Sequence, residues 1–142
     1  MTHSSYDVVE VVAMQLIGSD ASVIPVNAEL SFRTSDPYTV RAVFTGPHTM
    51  STWLFGRALL SMGMHATADA PAGSGDVQVW RDEDPDYALV SLSGVEGSAL
   101  LAAPSEPLIR FLAGTEALVP LGAESDRMES EISAFIAALL TA

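Results

Sequence analysis

The stretch Asp36-Pro37-Tyr38-Thr39-Val40-Arg41-Ala42-Val43-Phe44-Thr45 opens on a turn and runs into two-residue alternation. Tyr38, Val40, Ala42 and Phe44 share one face, and Thr39, Arg41, Val43 and Thr45 the other. That spacing predicts a half-buried β-strand. Gly46-Pro47-His48 then turns the chain back into a further strand, about 49–54. Trp53-Leu54-Phe55-Gly56-Arg57-Ala58-Leu59-Leu60 packs aromatic and aliphatic residues into one segment. It predicts a short helix over 55–62, with Phe55, Leu59 and Met62 on one face and Gly63 as its stop. Residues 66–75 are small and read as a flexible loop that ends in Gly75-Asp76-Val77-Gln78-Val79-Trp80. None of these residues forms an obvious nucleophile, phosphate cradle or metal cage. They read as the frame of an antiparallel scaffold that binds something.

Outward from this stretch the pattern continues. Val8 to Ile17 is rich in β-branched residues and predicts a largely buried strand. Gly18-Ser19-Asp20 supplies a turn, and Pro25 precedes a strand over 27–33 with Ala28, Leu30 and Phe32 toward the core. Downstream, strands are predicted at 76–81, 86–93 and 98–102, the first two joined by the acidic turn Asp82-Glu83-Asp84-Pro85. Ser105 is placed to cap a helix over 106–113, and Pro120 to Gly122 ends that region. A last helix over 124–141 carries Met128, Ile132, Phe135, Ile136, Leu139 and Leu140 on one stripe, expected to face the core. Its other face, with Ser130, Ser133, Ala134, Ala137 and Ala138, is small enough for another chain to approach. The expected fold is therefore α+β, with about seven antiparallel strands in two meander sheets and three helices. Residues 1–142 are expected to form a single domain.

The chain has 142 residues, 49% of them hydrophobic, which is too many for a disordered polymer. Its net charge is −12, and all six basic residues are Arg. So acidic a surface repels phosphate backbones and anionic lipid, so neither nucleic-acid binding nor direct membrane insertion is expected. The chain has no Cys, hence neither a disulfide framework nor thiol chemistry. The N-terminus lacks the basic start and apolar centre of a signal peptide, and no uncharged apolar run reaches about 18 residues. A cytoplasmic protein is the expectation.

No catalytic constellation is legible. His3, His48 and His65 share no ligand spacing, and no metal or cofactor is expected. Asp82, Glu83, Asp84 and Asp86 lack the alternating ligands and distant bidentate Glu of a calcium loop. Gly73-Ser74-Gly75 is neither a nucleophile elbow nor a phosphate loop. Trp53 and Trp80 stand at strand ends, suited to the core, a subunit interface or a partner anchor.

Several segments in order then resemble the SsgA-like family of sporulating, mycelial actinobacteria, and within it the SsgB branch. They are Asp36-Pro37-Tyr38 with Val40, Ala42 and Phe44; Trp53 with Phe55, Arg57, Leu59 and Leu60; Gly73 with Gly75-Asp76-Val77 and Val79-Trp80; Glu96-Gly97 with Ala99-Leu100-Leu101 and Ala103-Pro104; and Phe111-Leu112 with Thr115 and Val119-Pro120. The chain departs from the family pattern at Ala58, Arg81 and Gly94-Val95. The resemblance implies a fold similar to the Whirly single-strand nucleic-acid-binding proteins, assembled as a homotrimer. It implies a sporulation-specific division adaptor that marks future septum sites, recruits the tubulin-like GTPase FtsZ and promotes its polymerisation, with an SsgA-like paralogue at the septum. A Whirly-like nucleic-acid binder is the alternative, which the charge opposes. The family carries no catalytic residues to transfer. Within the matching segments, Trp53, Arg57 and Trp80 are the expected interface or partner anchors. Gly73, Gly75 and Asp76 are the expected partner loop, with the acidic turn 82–86 a second exposed loop to consider.

Overall fold

The structure, a computed structural model, describes residues 6–141, with nothing said of the side chains at 127, 128 and 131. The expectations for His3 and for the N-terminal tail therefore lie outside the described residues, as does the placement of the Met128 side chain. Seven strands run in chain order: β1 (Val8–Ile17), β2 (Val23–Arg33), β3 (Asp36–Thr45), β4 (Met50–Gly56), β5 (Val77–Arg81), β6 (Tyr87–Gly94) and β7 (Gly97–Pro104). The helices are α1 (Arg57–Gly63), between β4 and β5, then α2 (Ser105–Leu118) and α3 (Glu124–Leu140).

All the strand pairs are antiparallel, and the class read from the sequence is the class observed. The two expected meanders are present, but they form one curled sheet rather than two, in the order β4-β3-β2-β1-β7-β6-β5. The join is short. Only Gln15, Leu16 and Ile17 of β1 pair with β7, opposite Ala102, Leu101 and Leu100. Along the rest of β1 the neighbouring element is α2. There Gly114 comes so close that a Cβ would lie 3.2 Å from Val8, and Arg110 pairs with Glu10.

The core lies on one face of the sheet. Val12, Ala28, Leu30, Val40, Ala42, Val79, Val90 and Leu101 alternate into it and meet Leu60 of α1 and Leu108, Phe111 and Leu112 of α2. Burial of the Val, Leu and Phe side chains among these supplies about 1.5–3 kcal/mol each before chain entropy is charged against it.

Several local readings are corrected. Pro25 lies inside β2, opposite Gln15. There β2 runs beyond the reach of β3, whose pairing begins at Asn27 and Thr45, so a missing N–H removes no ladder bond on that side. Tyr38 is exposed and Pro37 takes the buried place. The β2–β3 pairing is irregular between Ser31 and Arg33, and such a bulge re-aims the flanking side chains. Phe55 lies in β4, which runs on to Gly56, instead of opening α1, and Met62 is exposed. The buried face of α1 is Arg57, Leu60 and Gly63. Gly63 is a packing contact: a Cβ there would stand 2.4 Å from Val79. Helix α2 continues to Leu118, and Ser105 does not cap it. The Ser105 hydroxyl donates instead to the Pro85 carbonyl at 2.8 Å, tying α2 to the acidic turn.

Candidate functional site

The sequence places apolar side chains along α3 at helical spacing, and the expectation was core. The structure overturns it. Ile132, Phe135, Ile136, Leu139 and Leu140 are all exposed, from 49% to 81%. Helix α3 touches the sheet chiefly at β3, and the rest of it carries its apolar stripe in the open. Nothing in the helical period says whether a stripe meets its own chain or another one. Five large apolar side chains in one row make a surface of several hundred Å², the size that marks an interaction site on a soluble protein.

The base of α3 is held firmly. Arg57, at the start of α1, is fully buried. Its guanidinium donates to the carbonyls of Thr115, Val119 and Pro120 at the end of α2, and to Glu124 Oε1 at 2.7 Å. Its carbon stands 5.1 Å from the Phe32 ring centroid. The other oxygen of Glu124 accepts from the Gly122 amide at 2.9 Å. The Arg57 hydrogen bond holds the Glu124 carboxyl below the usual carboxylate range, against the opposing effect of burial. One cation thus gathers three carbonyls at the C-terminal end of α2, of which Thr115 and Pro120 also accept the Val119 and Ala123 amides, and fixes the first residue of α3. The expectation of Arg57 as a partner anchor is corrected accordingly. Its partners are its own chain, and it acts on the outside only by setting where α3 starts.

The second large feature is a cleft of about 750 Å³ on the core side of the sheet. Leu16, Ile24, Phe44, Trp53 and Leu101 line it, between the Gly46–Thr49 turn and the Gly94–Gly97 turn. Trp53 stands opposite Ala42 on the core face and is half-buried, so it serves packing and the cleft wall together. Trp80 pairs with Leu89 on the outer face and is also half-buried. The two tryptophans therefore do not form one surface.

The loop expected to meet a partner divides in two. Gly73 has φ +96°, and a Cβ there would stand 2.4 Å from the Val77 carbonyl oxygen, so its role is structural. Gly75 and Asp76 are exposed. Residues 66–72 are less free than their composition suggests. Ala72 exchanges both backbone hydrogen bonds with Val79, and the Arg81 amide donates to the Ala66 carbonyl at 2.9 Å. This segment covers the outer edge of β5, while β4 ends the sheet on the other side. Among the described residues no three His, Asp or Glu side chains gather as metal ligands, and no helix is long and apolar enough to cross a membrane.

Sequence reading missed one cluster. Tyr6, Arg33 and Arg41 meet on the outer face of β2–β4. The signal was faint: two of only six cations lie eight residues apart across one hairpin.

Comparisons with known proteins agree on one group. The family model for the Streptomyces sporulation and cell division protein SsgA matches residues 26–124. The sporulation-specific cell division protein SsgB of Streptomyces coelicolor is 40% identical over 129 residues, covering 87% of this chain and 91% of its own. SsgB of Thermobifida fusca is 36% identical over 132 residues, covering 91% and 93%. Among solved structures, an SsgA-like sporulation-specific cell division protein from Thermobifida fusca superposes with a TM-score of 0.78 at 36% identity, covering 96% of this chain and 98% of that one. Another, from work linking mutations in SsgB to longitudinal cell division during sporulation of Streptomyces coelicolor, gives 0.76 at 38%, covering 89% and 99%. These relatives are named for division during sporulation and not for an enzymatic activity.

Proposed function

Because this chain belongs to the SsgA family of sporulation and cell division proteins, we propose that it is a non-enzymatic adaptor of sporulation-specific septation. As one domain in the cytoplasm it marks future septum sites, recruits FtsZ and promotes its polymerisation, alongside an SsgA-like paralogue. The observation that carries this reading is the match to SsgB proteins over most of both chains. The exposed stripe of α3 supports the assembly part of the proposal, a homotrimer. Five apolar side chains in water disfavour an isolated chain, and a charge of −12 makes self-association depend on apolar contact. A trimer presents three copies of any partner patch, so individually weak contacts sum to useful avidity along a filament.

Imaging fluorescent fusions of this chain and of FtsZ in sporulating hyphae tests the proposal. The chain is expected at regularly spaced sites before FtsZ rings form there. Rings that form on schedule without it would end the recruitment proposal.

A further inference from the structure

Arg supplies all six Lys/Arg-type cations of this acidic protein, and two of them, Arg33 and Arg41, stand together with no carboxylate partner among the described residues. The Arg33 guanidinium carbon lies 4.2 Å from the Tyr6 ring centroid and that of Arg41 5.6 Å, so the two cations are within about 10 Å of each other. Strand register builds the arrangement. Ser31 on β2 stands opposite Arg41 on β3, and Arg41 opposite Leu54 on β4, one row across the outer face. Arg33 follows two residues along β2. Tyr6 is held over it because the Asp7 amide donates to the Phe32 carbonyl and the Asp7 carboxylate accepts from the Thr34 amide, both at 2.8 Å.

These residues enclose a cleft of about 460 Å³. Ser31 lines it, is 1% exposed, and its hydroxyl has no hydrogen-bond partner. Thr39 and Thr52 add hydroxyls, and Leu54, 64% exposed, gives an apolar wall. Asp36 lies on the cleft, opposite Arg33 in the register, yet forms no ion pair with it. Among the described residues no carboxylate stands within 4.0 Å of Arg33 or Arg41, whereas Arg57 and Arg110 are both paired. A buried hydroxyl without a partner is a costly feature to hold on a rigid sheet, and the two guanidinium groups beside it have donors that no carboxylate takes. Each is satisfied by one occupant that accepts hydrogen bonds.

We propose that this cleft binds the carboxylate of an acidic, extended peptide segment of a partner protein. Arg33 and Arg41 donate to its oxygens, Ser31 donates its hydroxyl, and Leu54 with the Tyr6 ring flanks a neighbouring apolar residue. The protein's charge favours this occupant over a polyanion. A chain of phosphates meets long-range repulsion from −12, while one carboxylate gains short, charge-assisted hydrogen bonds that outweigh it locally. The position favours an extended segment, because Thr52 and Leu54 lie on β4, which ends the sheet and has an unpaired outer edge among the described residues.

The test is a titration of the ¹⁵N-labelled full chain with an acetylated, amidated peptide that carries one glutamate between leucines in an otherwise neutral sequence. The glutamine version of the peptide is the control. Saturable shifts are expected at the Nε–H groups of Arg33 and Arg41 and in the amides of β2 to β4, with binding roughly tenfold weaker for the glutamine peptide. Arg33→Gln and Arg41→Gln are each expected to weaken the glutamate peptide roughly tenfold while lowering the melting temperature by only a few degrees, because each loses no ion pair, only its contact with the Tyr6 ring. Ser31→Ala is expected to weaken it a few-fold while leaving stability equal or higher. Equal response to both peptides, no saturable shift, or tighter binding of oligothymidylate or inorganic phosphate at the same residues would overturn the proposal. The titration reads the cleft alone. Its failure leaves FtsZ recruitment standing, and failure of recruitment leaves the cleft standing.

Discussion

Replacing Glu124 by Gln removes one negative charge, preserves shape, and strikes the point on which α3 is mounted. Arg57 is 0% exposed and keeps the Thr115, Val119 and Pro120 carbonyls after the change. It loses the one carboxylate, now at 2.7 Å. Breaking a buried ion pair costs about 3–5 kcal/mol when the remaining charge is left uncompensated. Here the carbonyls still solvate the cation, and the Glu124 side chain is 11% exposed, so water reaches one side of the pair. The expected loss is therefore about 2–3 kcal/mol, or about 6–10 °C in melting temperature for a chain of this size. Urea unfolding followed by circular dichroism measures it, with an unchanged slope showing that the compactness of both states is preserved.

The same pair sets a pH dependence. The folded-state Glu124 carboxyl lies below its ordinary value. Its contribution is thus fully present above the unfolded glutamate pKa of about 4.3 and is lost as pH falls through the lowered value. The stability gap between the native chain and Glu124→Gln should be widest near neutrality and should close in acid. Arg57→Met also takes the donor from the Val119 carbonyl, while Thr115 and Pro120 keep the Val119 and Ala123 amides, and should cost at least as much. The double variant should fall short of the sum of the two single losses by about 1–3 kcal/mol. A neutral-pH loss under about 0.5 kcal/mol for Glu124→Gln, or a gap that persists in acid, would refute the reasoning.

Gly73→Ala forces a Cβ onto a residue at φ +96° and against the Val77 carbonyl, so it should cost about 2 kcal/mol or more in the same unfolding assay. Light scattering should report three times the 14.9 kDa chain mass, and Phe135→Ala with Leu139→Ala should lower that mass while far-ultraviolet dichroism stays unchanged, because both side chains are exposed within one chain. Single-stranded DNA should bind negligibly at about 0.15 M salt, since counterion release needs more clustered cations than this chain offers; a tight, salt-sensitive complex in a mobility-shift assay would restore the nucleic-acid reading.

Much of the fold was legible because two-residue alternation is a strong signal. The first strand was predicted with the bounds observed, and β3, β5 and β6 fell within two residues of them. Failures came where a residue's chemistry was decided far away. Arg57 looks like a surface cation until the carbonyls at the end of α2, about 60 positions later, arrive to meet it. Gly63 reads as a helix stop until Val79 is packed against it. Whether two meanders form one sheet or two depends on three residue pairs between β1 and β7, which no local pattern records. The stripe of α3 was found correctly and assigned to the wrong side, because periodicity gives a face and not its partner. The Tyr6–Arg33–Arg41 cluster needs strand register before it exists at all.

The most direct test of the adaptor proposal is sedimentation of purified FtsZ with GTP, with and without this chain, over a range of salt. The chain should pellet with FtsZ polymer and raise the polymer yield. Because a chain of charge −12 with only six Arg offers no broad basic face, its contact with FtsZ should rest mainly on apolar and hydrogen-bonding groups, and raising salt should not abolish it. A chain that stays in the supernatant and leaves the polymer yield unchanged at every salt concentration would contradict direct recruitment of FtsZ.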